Sequence, residues 1–246
     1  MELATSDQAG AKRFYNDLFA WTANDVPIGS DDFYTMFRLH GRDVAAAYSL
    51  RPDQKEHGVP PHWMLYVATE NADATSEKAA VLGGKILAPP FDVFDVGRMA
   101  VIQDPTNAVF SVWQPKRHHG LGIASEEGAL CWADLNTPDP KKAADFYSQL
   151  FGWETEVGKN DPSGYLHILN QGDYIGGIPP VREGQEPPHW LIYYQVAGID
   201  EAVQRAQSSG GKVYQPVFAV PDVGKSAVLA DPQGAVFALF EHMQKS

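Results

Sequence analysis

Cysteine is almost absent from this 246-residue chain, and Cys131 is the only one. A single thiol excludes an internal disulfide framework, the usual scaffold of small exported proteins. No run of about 18 apolar residues is present, so no membrane-spanning helix is expected. The first residues do not have the basic-then-apolar pattern of a secretion signal. These absences together predict a cytoplasmic protein that does not enter a membrane.

A surplus of basic residues is also lacking. The chain has 19 Lys and Arg against 31 Asp and Glu, a formal net charge of −12. Nucleic-acid binding is therefore not expected, because no positive surplus is available to neutralise phosphates. Hydrophobic residues make up 44% of the chain, enough to bury a sizeable core. The predicted partner is a small molecule, for a protein acting as a monomer or homodimer.

The chain contains one unit written twice. PPHWMLYV at 60–67 returns as PPHWLIYY at 187–194, an offset of 127 residues. The same offset relates two Gly-Gly-Lys segments and two Asp-Pro turns, at 83–85 and 210–212, and at 104–105 and 231–232. Collinear matches of this length indicate a tandem duplication.

A helix signature fixes the repeat boundaries. RFYNDLFAW at 13–21 matches DFYSQLFGW at 145–153 at an offset of 132, so the second copy has shorter loops. We predict a first domain over 1–115, a linker over 116–127 and a second domain over 128–246. GALCW of the second copy has no counterpart in the first, which predicts a truncated first strand.

Each copy shows two half-repeats. Apolar residues spaced three and four apart in the FY-x-x-LF-x-W segments predict helices, with Asp139 as an N-cap and Pro140 at the first helical position. Alternating apolar segments on either side predict strands. The predicted fold class is α+β: four βαβββ modules paired into two cupped sheets or barrels, with helices outside.

The FY-x-x-LF-x-W helix, the DPQGAVF turn and the four modules resemble the vicinal oxygen chelate superfamily. That group includes glyoxalase I, bleomycin-resistance proteins and extradiol dioxygenases, and the tandem layout is similar to its two-domain bacterial members, often labelled glyoxalase-like or hydroxylase-like. The resemblance implies a cupped sheet around a small-molecule site. It leaves the chemistry open, because one fold hosts many activities.

The resemblance also implies a divalent metal, held by residues on the first and last strands of each module. His62 and His189 match such positions in residue type. Ser111 and Ala238 stand where a glutamate ligand is expected, and neither residue type is suitable. The implied ligand set is therefore incomplete, and we expect no cofactor with a fully formed site.

His62 and His189 are the first candidate catalytic residues, joined by Asp134. Strand alternation places each histidine opposite its apolar tryptophan neighbour, facing the cup. An imidazole there could act as a general base, and a carboxylate nearby would fix its tautomer. The structural alternative is that each histidine only caps the start of its strand, and that Asp134 is an exposed carboxylate ahead of a helix.

The candidate substrate-binding residues are mostly aromatic and lie on predicted cup faces. They are Tyr48, Tyr66, Ser111, Trp113, Trp132, Tyr193 and Phe240. Such rings suit a flat aromatic or oxygen-rich ligand, although aromatic stripes also occur in ordinary cores.

Two functions follow. One is an enzyme with histidine-assisted acid–base chemistry, of the lyase, isomerase or oxygenase type. The other is a non-catalytic protein that sequesters a drug or metabolite, as bleomycin-resistance proteins do.

Overall fold

A computed structural model describes residues 1–30, 32–158, 163–181 and 187–243. The fold is α+β and confirms the four βαβββ modules. The first module begins with a short strand and comprises β1 (Glu2–Thr5), α1 (Gln8–Phe19), β2 (Thr22–Pro27), β3 (Phe33–Leu39) and β4 (Arg42–Ser49). A short helix, α2 (Pro52–Glu56), follows it.

The second module has an interrupted first strand: β5 (His62–Met64), β6 (Tyr66–Ala68), α3 (Ala72–Val81), β7 (Lys85–Val93), β8 (Gly97–Gln103) and β9 (Val109–Pro115). The third module begins with a longer strand: β10 (Leu130–Asn136), α4 (Pro140–Phe151), β11 (Glu154–Val157), β12 (Leu166–Asn170) and β13 (Asp173–Ile178). The fourth module completes the chain: β14 (His189–Gln195), α5 (Ile199–Ser208), β15 (Lys212–Val220), β16 (Gly224–Ala230) and β17 (Val236–His242).

All four modules have the same strand order. The first strand of each module lies beside the last and parallel to it, as β1 does with β4 and β10 with β13. The other pairs within each module are antiparallel hairpins, and two further neighbours, β1 beside β5 and β10 beside β14, join modules. Every sheet order is open-ended, so among the described residues no sheet closes into a barrel. The helices follow the predicted signals, because Asp7 and Asp139 each accept a backbone N–H at a helix start.

The described chain divides into two compact units that draw on both repeats. Unit 1 comprises Met1–Trp63, Leu121–Cys131 and Ile192–Ser246. Unit 2 comprises Met64–Gly120 and Trp132–Leu191. The compact units and the sequence repeats are therefore different divisions of the chain, and the repeat boundaries at 1–115 and 128–246 stay a prediction.

The core of unit 1 shows what the helix signature does. Tyr15 is fully buried and donates its hydroxyl to Asp231 Oδ2 at 3.1 Å, while Trp63 Nε1 donates to the same hydroxyl oxygen at 3.0 Å. Asp231 also accepts the backbone N–H groups of its own turn, from Gln233 and Ala235. The tryptophan of the Pro-Pro-His-Trp motif is therefore a structural residue.

Unit 2 repeats this arrangement with the equivalent residues. Tyr147 donates to Asp104 Oδ2 at 3.0 Å, and Trp190 Nε1 donates to the Tyr147 hydroxyl at 3.0 Å. In each unit the aspartate comes from one sequence repeat and the tyrosine from the other. Burial is the first cause that raises the pKa of Tyr147 well above its usual value, so its hydroxyl remains a donor.

The helices in the described part of the chain are all too short or too polar to cross a membrane.

Candidate functional site

The two motif histidines are held in the same way. His62 Nδ1 lies 2.9 Å from the carbonyl oxygen of Pro60, and His189 Nδ1 lies 2.8 Å from that of Pro187. A carbonyl oxygen only accepts, so Nδ1 must carry the hydrogen and donate it. In a neutral imidazole this leaves Nε2 as a hydrogen-bond acceptor. Each histidine therefore caps the start of its strand through Nδ1 and also presents Nε2 as an acceptor.

His189 has a polar neighbour at this nitrogen. The Asn136 amide nitrogen, on β10, lies 3.5 Å from His189 Nε2, the outer limit of a hydrogen bond. At the equivalent place on β1, 132 residues earlier, stands Ala4. The second repeat therefore provides an amide donor beside its histidine where the first provides a methyl group.

Asp134 lies two residues before Asn136 on β10, so the two side chains are on the same face of the strand. Asp134 is 6% exposed. Its Oδ1 accepts a hydrogen bond from the Tyr165 hydroxyl and another, at 3.0 Å, from Trp132 Nε1. The same indole N–H also lies 2.8 Å from the Tyr165 hydroxyl oxygen. The carboxylate is thus held by a phenol and an indole, as a buried charge must be.

Gly177 makes room for this contact. It is the register partner of Asp134 in the parallel β10–β13 pair. A Cβ at Gly177 would lie 1.9 Å from the Tyr165 hydroxyl oxygen, so the tyrosine lies where a side chain would otherwise stand. Glycine at 177 is therefore what lets a short aspartate reach the tyrosine.

His167 completes the group on the neighbouring strand β12. It is the register partner of Gly177, so it faces the same side of the sheet as Asp134. Its ring centroid lies 5.0 Å from that of Tyr165 and 6.2 Å from that of Trp132. We call Trp132, Asp134, Asn136, Tyr165, His167 and His189 the Asp134 cluster.

The first repeat has a reduced counterpart in unit 1. Tyr34 donates its hydroxyl to Glu2 Oε1 at 2.7 Å, and Gln54 Nε2 donates to the Tyr48 hydroxyl at 2.9 Å. Burial first, and then the Glu2 carboxylate, raises the pKa of Tyr34 well above its usual value, so this tyrosine stays a donor. We call Glu2, Tyr34, Tyr48 and Gln54 the Glu2 cluster. His62 lies on β5, the strand beside β1.

The two clusters differ in the length of their carboxylate side chain, which is a glutamate at Glu2 and an aspartate at Asp134. Glu2 has Ala46 as its register partner, in the place that Gly177 occupies beside Asp134. The longer glutamate reaches its tyrosine past a methyl group, whereas the shorter aspartate needs glycine. This pairing of carboxylate length with the space beside it indicates that the tyrosine–carboxylate contact is a built feature of both repeats.

Three further sequence candidates, Tyr66, Ser111 and Trp113, lie in unit 2. Tyr66 donates its hydroxyl to Met99 Sδ at 3.7 Å, and its ring centroid lies 6.4 Å from that of Trp113. Trp113 donates its N–H to the carbonyl of His118 at 2.9 Å. Ser111 is fully buried, and its Oγ has no hydrogen-bond partner in the described chain.

The last two candidates lie in unit 1. Phe240 is 9% exposed and packs edge-on against His242, with ring centroids 4.7 Å apart. Tyr193 is half-buried on β14, and its carbonyl accepts the Cys131 thiol at 3.5 Å. Burial raises the pKa of Cys131 to about 12, so this thiol is an inert structural group.

Sequence reasoning missed both tyrosines, Tyr34 and Tyr165, and also His167. A signal was present, because the carboxylates differ by 134 − 2 = 132 positions and the tyrosines by 165 − 34 = 131. A strand tyrosine is so common in cores that the match has weight only once the register is known.

The donors do not fit a metal ion of the kind the resemblance implied. Ser111 and Ala238, at the expected glutamate positions, are both fully buried, and neither offers a carboxylate. In the part of the chain that the structure describes, no three His, Cys, Asp or Glu side chains are grouped to hold a metal. The arrangement instead supports hydrogen bonding and proton transfer by side chains.

Known proteins resemble the whole chain. It is 37% identical over 98% of its length to the Mycobacterium tuberculosis protein named "Putative glyoxylase CFP32", covering 93% of that protein. It is 33% identical over 98% of its length to "Anthracycline biosynthesis protein DnrV" of Streptomyces peucetius, covering 91% of that protein.

Solved structures share the fold at low identity. A Mn(II)-bound glyoxalase from Novosphingobium aromaticivorans matches 99% of this chain and 81% of its own, with a TM-score of 0.66 and 14% identity. The 2,3-dioxygenase LapB from Pseudomonas sp. KL28 matches 99% of this chain and 91% of its own, with a TM-score of 0.65 and 10% identity. The model of the Glyoxalase/Bleomycin resistance protein/Dioxygenase superfamily matches residues 1–112, and that of the glyoxalase-like domain matches residues 132–240. The chain belongs to this glyoxalase, bleomycin-resistance protein and dioxygenase superfamily.

Proposed function

We propose that this protein binds a planar, hydroxylated aromatic metabolite at the Asp134 cluster and catalyses a proton transfer on it. The observation that carries the proposal is the fixed tautomer of His189. Its Nδ1–H is donated to Pro187, so the opposite nitrogen is held ready to accept a proton. The proposed setting is a reducing cytoplasm, in keeping with the single, half-buried cysteine.

The second repeat is the better site because its polar groups are more numerous. Asn136, His167 and Gly177 have as counterparts Ala4, Met36 and Ala46 in the first repeat. We therefore assign His189 and Asp134 the catalytic and binding roles. His62 is a matched comparison residue with the same tautomer but fewer polar neighbours.

The aromatic character of the cluster supports the ligand class. Tyr165, His167 and Trp132 present ring edges to one another, and Tyr174 lies 5.5 Å from His167. Such rings bind flat ligands through stacking and edge contacts. The relatives from Streptomyces are named for anthracycline biosynthesis, and the ring system of anthracyclines is a hydroxylated anthraquinone.

The proposed step is proton abstraction from a saturated ring carbon next to a carbonyl group, as 1-tetralone offers, in a substrate whose remaining rings are aromatic. The C–H bond breaks, its proton passes to His189 Nε2, and the electron pair moves to the carbonyl oxygen as an enolate. The Asn136 amide can donate to that oxygen. Return of the proton to the same or a neighbouring carbon gives exchange or isomerisation, and no other reactant is required.

Binding without chemistry is the second candidate. The aromatic rings and the tyrosine–carboxylate pair could hold a flat phenolic ligand whether or not His189 takes a proton. A protein of this kind would sequester its ligand, as the bleomycin-resistance branch of the superfamily does.

One pair of measurements separates the candidates. Binding of 1,4-dihydroxyanthraquinone is followed by quenching of tryptophan fluorescence, and proton transfer by deuterium uptake into 1-tetralone in D2O. We expect the wild type to do both, and His189→Gln to keep binding but lose exchange by about 100-fold or more, the usual contribution of a general base. The matched control His62→Gln should keep both. Binding without exchange in the wild type supports sequestration, and absence of binding refutes both.

A further inference from the structure

His167 has a buried nitrogen with no hydrogen-bond partner among the described residues. Its Nδ1 is shielded from solvent and makes no hydrogen bond within the described chain. Buried polar atoms are nearly always paired, so an exception needs an explanation. By contrast, the hydroxyl groups of Tyr15 and Tyr147 and the indole N–H groups of Trp63 and Trp190 all have hydrogen-bond partners.

Neighbouring side chains hold the imidazole in a defined position. Tyr165, Trp132 and Tyr174 meet it edge-on, with centroids between 5.0 and 6.2 Å away. The Tyr174 hydroxyl in turn donates to Glu156, the register partner of His167 on β11. His167 is therefore positioned by aromatic contacts, while its Nδ1 makes no hydrogen bond to the described residues.

The fold does not require a polar residue at this place. The equivalent residue in the first repeat is Met36, the β3 partner of Ala46, and it is half-buried like His167. An apolar side chain of similar reach thus fills the same position beside the Glu2 cluster. A histidine with an unsatisfied nitrogen costs stability that methionine would not, so its presence indicates a role in the site.

The position of His167 on β12 indicates what this role could be. Asp134, Gly177 and His167 form one row across β10, β13 and β12, with all side chains on one face. The Tyr165 hydroxyl lies over the gap at Gly177, between the carboxylate and the imidazole. Because His167 Nδ1 is shielded from solvent, a ligand oxygen would reach it by displacing this hydroxyl, and would then meet the nitrogen on its other side.

We propose that His167 is a substrate-binding residue that hydrogen-bonds a hydroxyl group of the aromatic ligand. This inference rests on the proposed function, because it assigns a further contact within the same cluster. It makes His167 a selector for hydroxylated rings over rings without a hydroxyl group.

The test compares two probes that share the quinone carbonyls and differ only in two hydroxyl groups: 1,4-dihydroxyanthraquinone, the hydroxylated probe, and 9,10-anthraquinone, the bare probe. Their dissociation constants are measured for the wild type, His167→Met and His167→Asn. His167→Met copies the first repeat, and Met36→Leu is the matched control. We expect His167→Met to weaken binding of the hydroxylated probe about tenfold, equivalent to about 1.4 kcal/mol, with binding of the bare probe within about twofold. His167→Asn should recover part of the loss, and Met36→Leu should change neither constant.

Each outcome decides the matter. Equal weakening of both probes by His167→Met would show a packing role and overturn the proposal, as would no change with either probe. If the wild type binds the hydroxylated probe normally and only this selectivity is missing, the proposed function stands and the His167 contact alone fails. If the wild type binds neither probe, the proposed function fails first and the contact with it. A His167→Met protein that melts no lower than the wild type excludes misfolding as the cause.

Discussion

The Tyr165 hydroxyl occupies the space that a side chain at Gly177 would fill, so alanine at this position should displace the tyrosine ring. In Gly177→Ala the new Cβ would lie 1.9 Å from the Tyr165 hydroxyl oxygen and 2.1 Å from Cζ, where ordinary contact is 3.4 Å or more. The ring must therefore retreat by about 1.5 Å, which is enough to break its hydrogen bond to Asp134.

The expected cost follows from two opposed terms. A hydrogen bond to a charged group is worth about 1.5–3 kcal/mol, whereas replacing glycine by alanine recovers about 0.4–1 kcal/mol of chain entropy. The net loss should be about 1–2 kcal/mol in the free energy of unfolding. For a chain of this size that lowers Tm by about 2–8 °C. Binding of 1,4-dihydroxyanthraquinone should weaken as well.

The first repeat supplies the rescue. There Ala46 stands beside the longer Glu2, which still accepts the hydroxyl of Tyr34 at 2.7 Å. Adding Asp134→Glu to Gly177→Ala should therefore restore at least half of the lost stability. Thermal unfolding of the wild type, both single variants and the double variant gives the coupling energy directly.

A second glycine provides a contrast. A Cβ at Gly176 would meet the backbone oxygen of Ala133 at 2.2 Å, and backbone cannot swing aside as a tyrosine ring can. Gly176→Ala should be the more damaging change, and Asp134→Glu should not rescue it. If Gly177→Ala leaves Tm and binding unchanged, or the double variant is no better than the single one, the reasoning about the tyrosine–carboxylate contact is refuted.

Further predictions concern the core and the thiol. Ala20 ends α1 in the left-handed region at φ 58°, so Ala20→Gly should raise the free energy of unfolding by about 1 kcal/mol in a denaturant titration, and a decrease would contradict this. Burial raises the pKa of Cys131 to about 12, so at pH 8 its reaction with a disulfide reagent should be about 1000-fold slower in the folded protein than in guanidinium; equal rates would contradict this. Tyr147→Phe leaves Asp104 without its tyrosine donor and should cost about 1–3 kcal/mol in chemical denaturation, and a neutral result would show that the network is dispensable. Burial raises the pKa of Asp231 above its usual 3.8. The Asp231 carboxyl therefore binds its proton more tightly in the folded chain than in the unfolded one. The stability that this proton adds at low pH is lost as pH rises from 3.8 through the higher pKa of the folded chain. Asp231→Asn should flatten stability across that pH window, and an unaltered pH profile would contradict the assignment.

Much of the fold was predictable because its determinants are local. The FY-x-x-LF-x-W helices, their aspartate N-caps and the alternating strands confirm the fold class and the four modules. What was not predictable is which copy of a motif meets which. Tyr15 bonds Asp231 and Tyr147 bonds Asp104, each across the repeats. Both copies carry the same tyrosine and the same aspartate, so each tyrosine has two equivalent partners and sequence alone cannot choose between them.

The site was predictable only in part, for the same reason. His62, His189 and Asp134 were visible as charged or basic residues on predicted cup faces. The contacts that give Asp134 its setting come from Tyr165 and from the space at Gly177. Both depend on strand register, and register is a property of paired strands rather than of either segment.

The most direct test of the account is a crystal structure of the protein soaked with 1,4-dihydroxyanthraquinone. We expect one ligand per chain, lying against Trp132 with one of its oxygens within hydrogen-bond distance, about 3 Å, of His189 Nε2. A ligand bound at the Glu2 cluster instead, or one that leaves the Asp134 cluster empty, would contradict it.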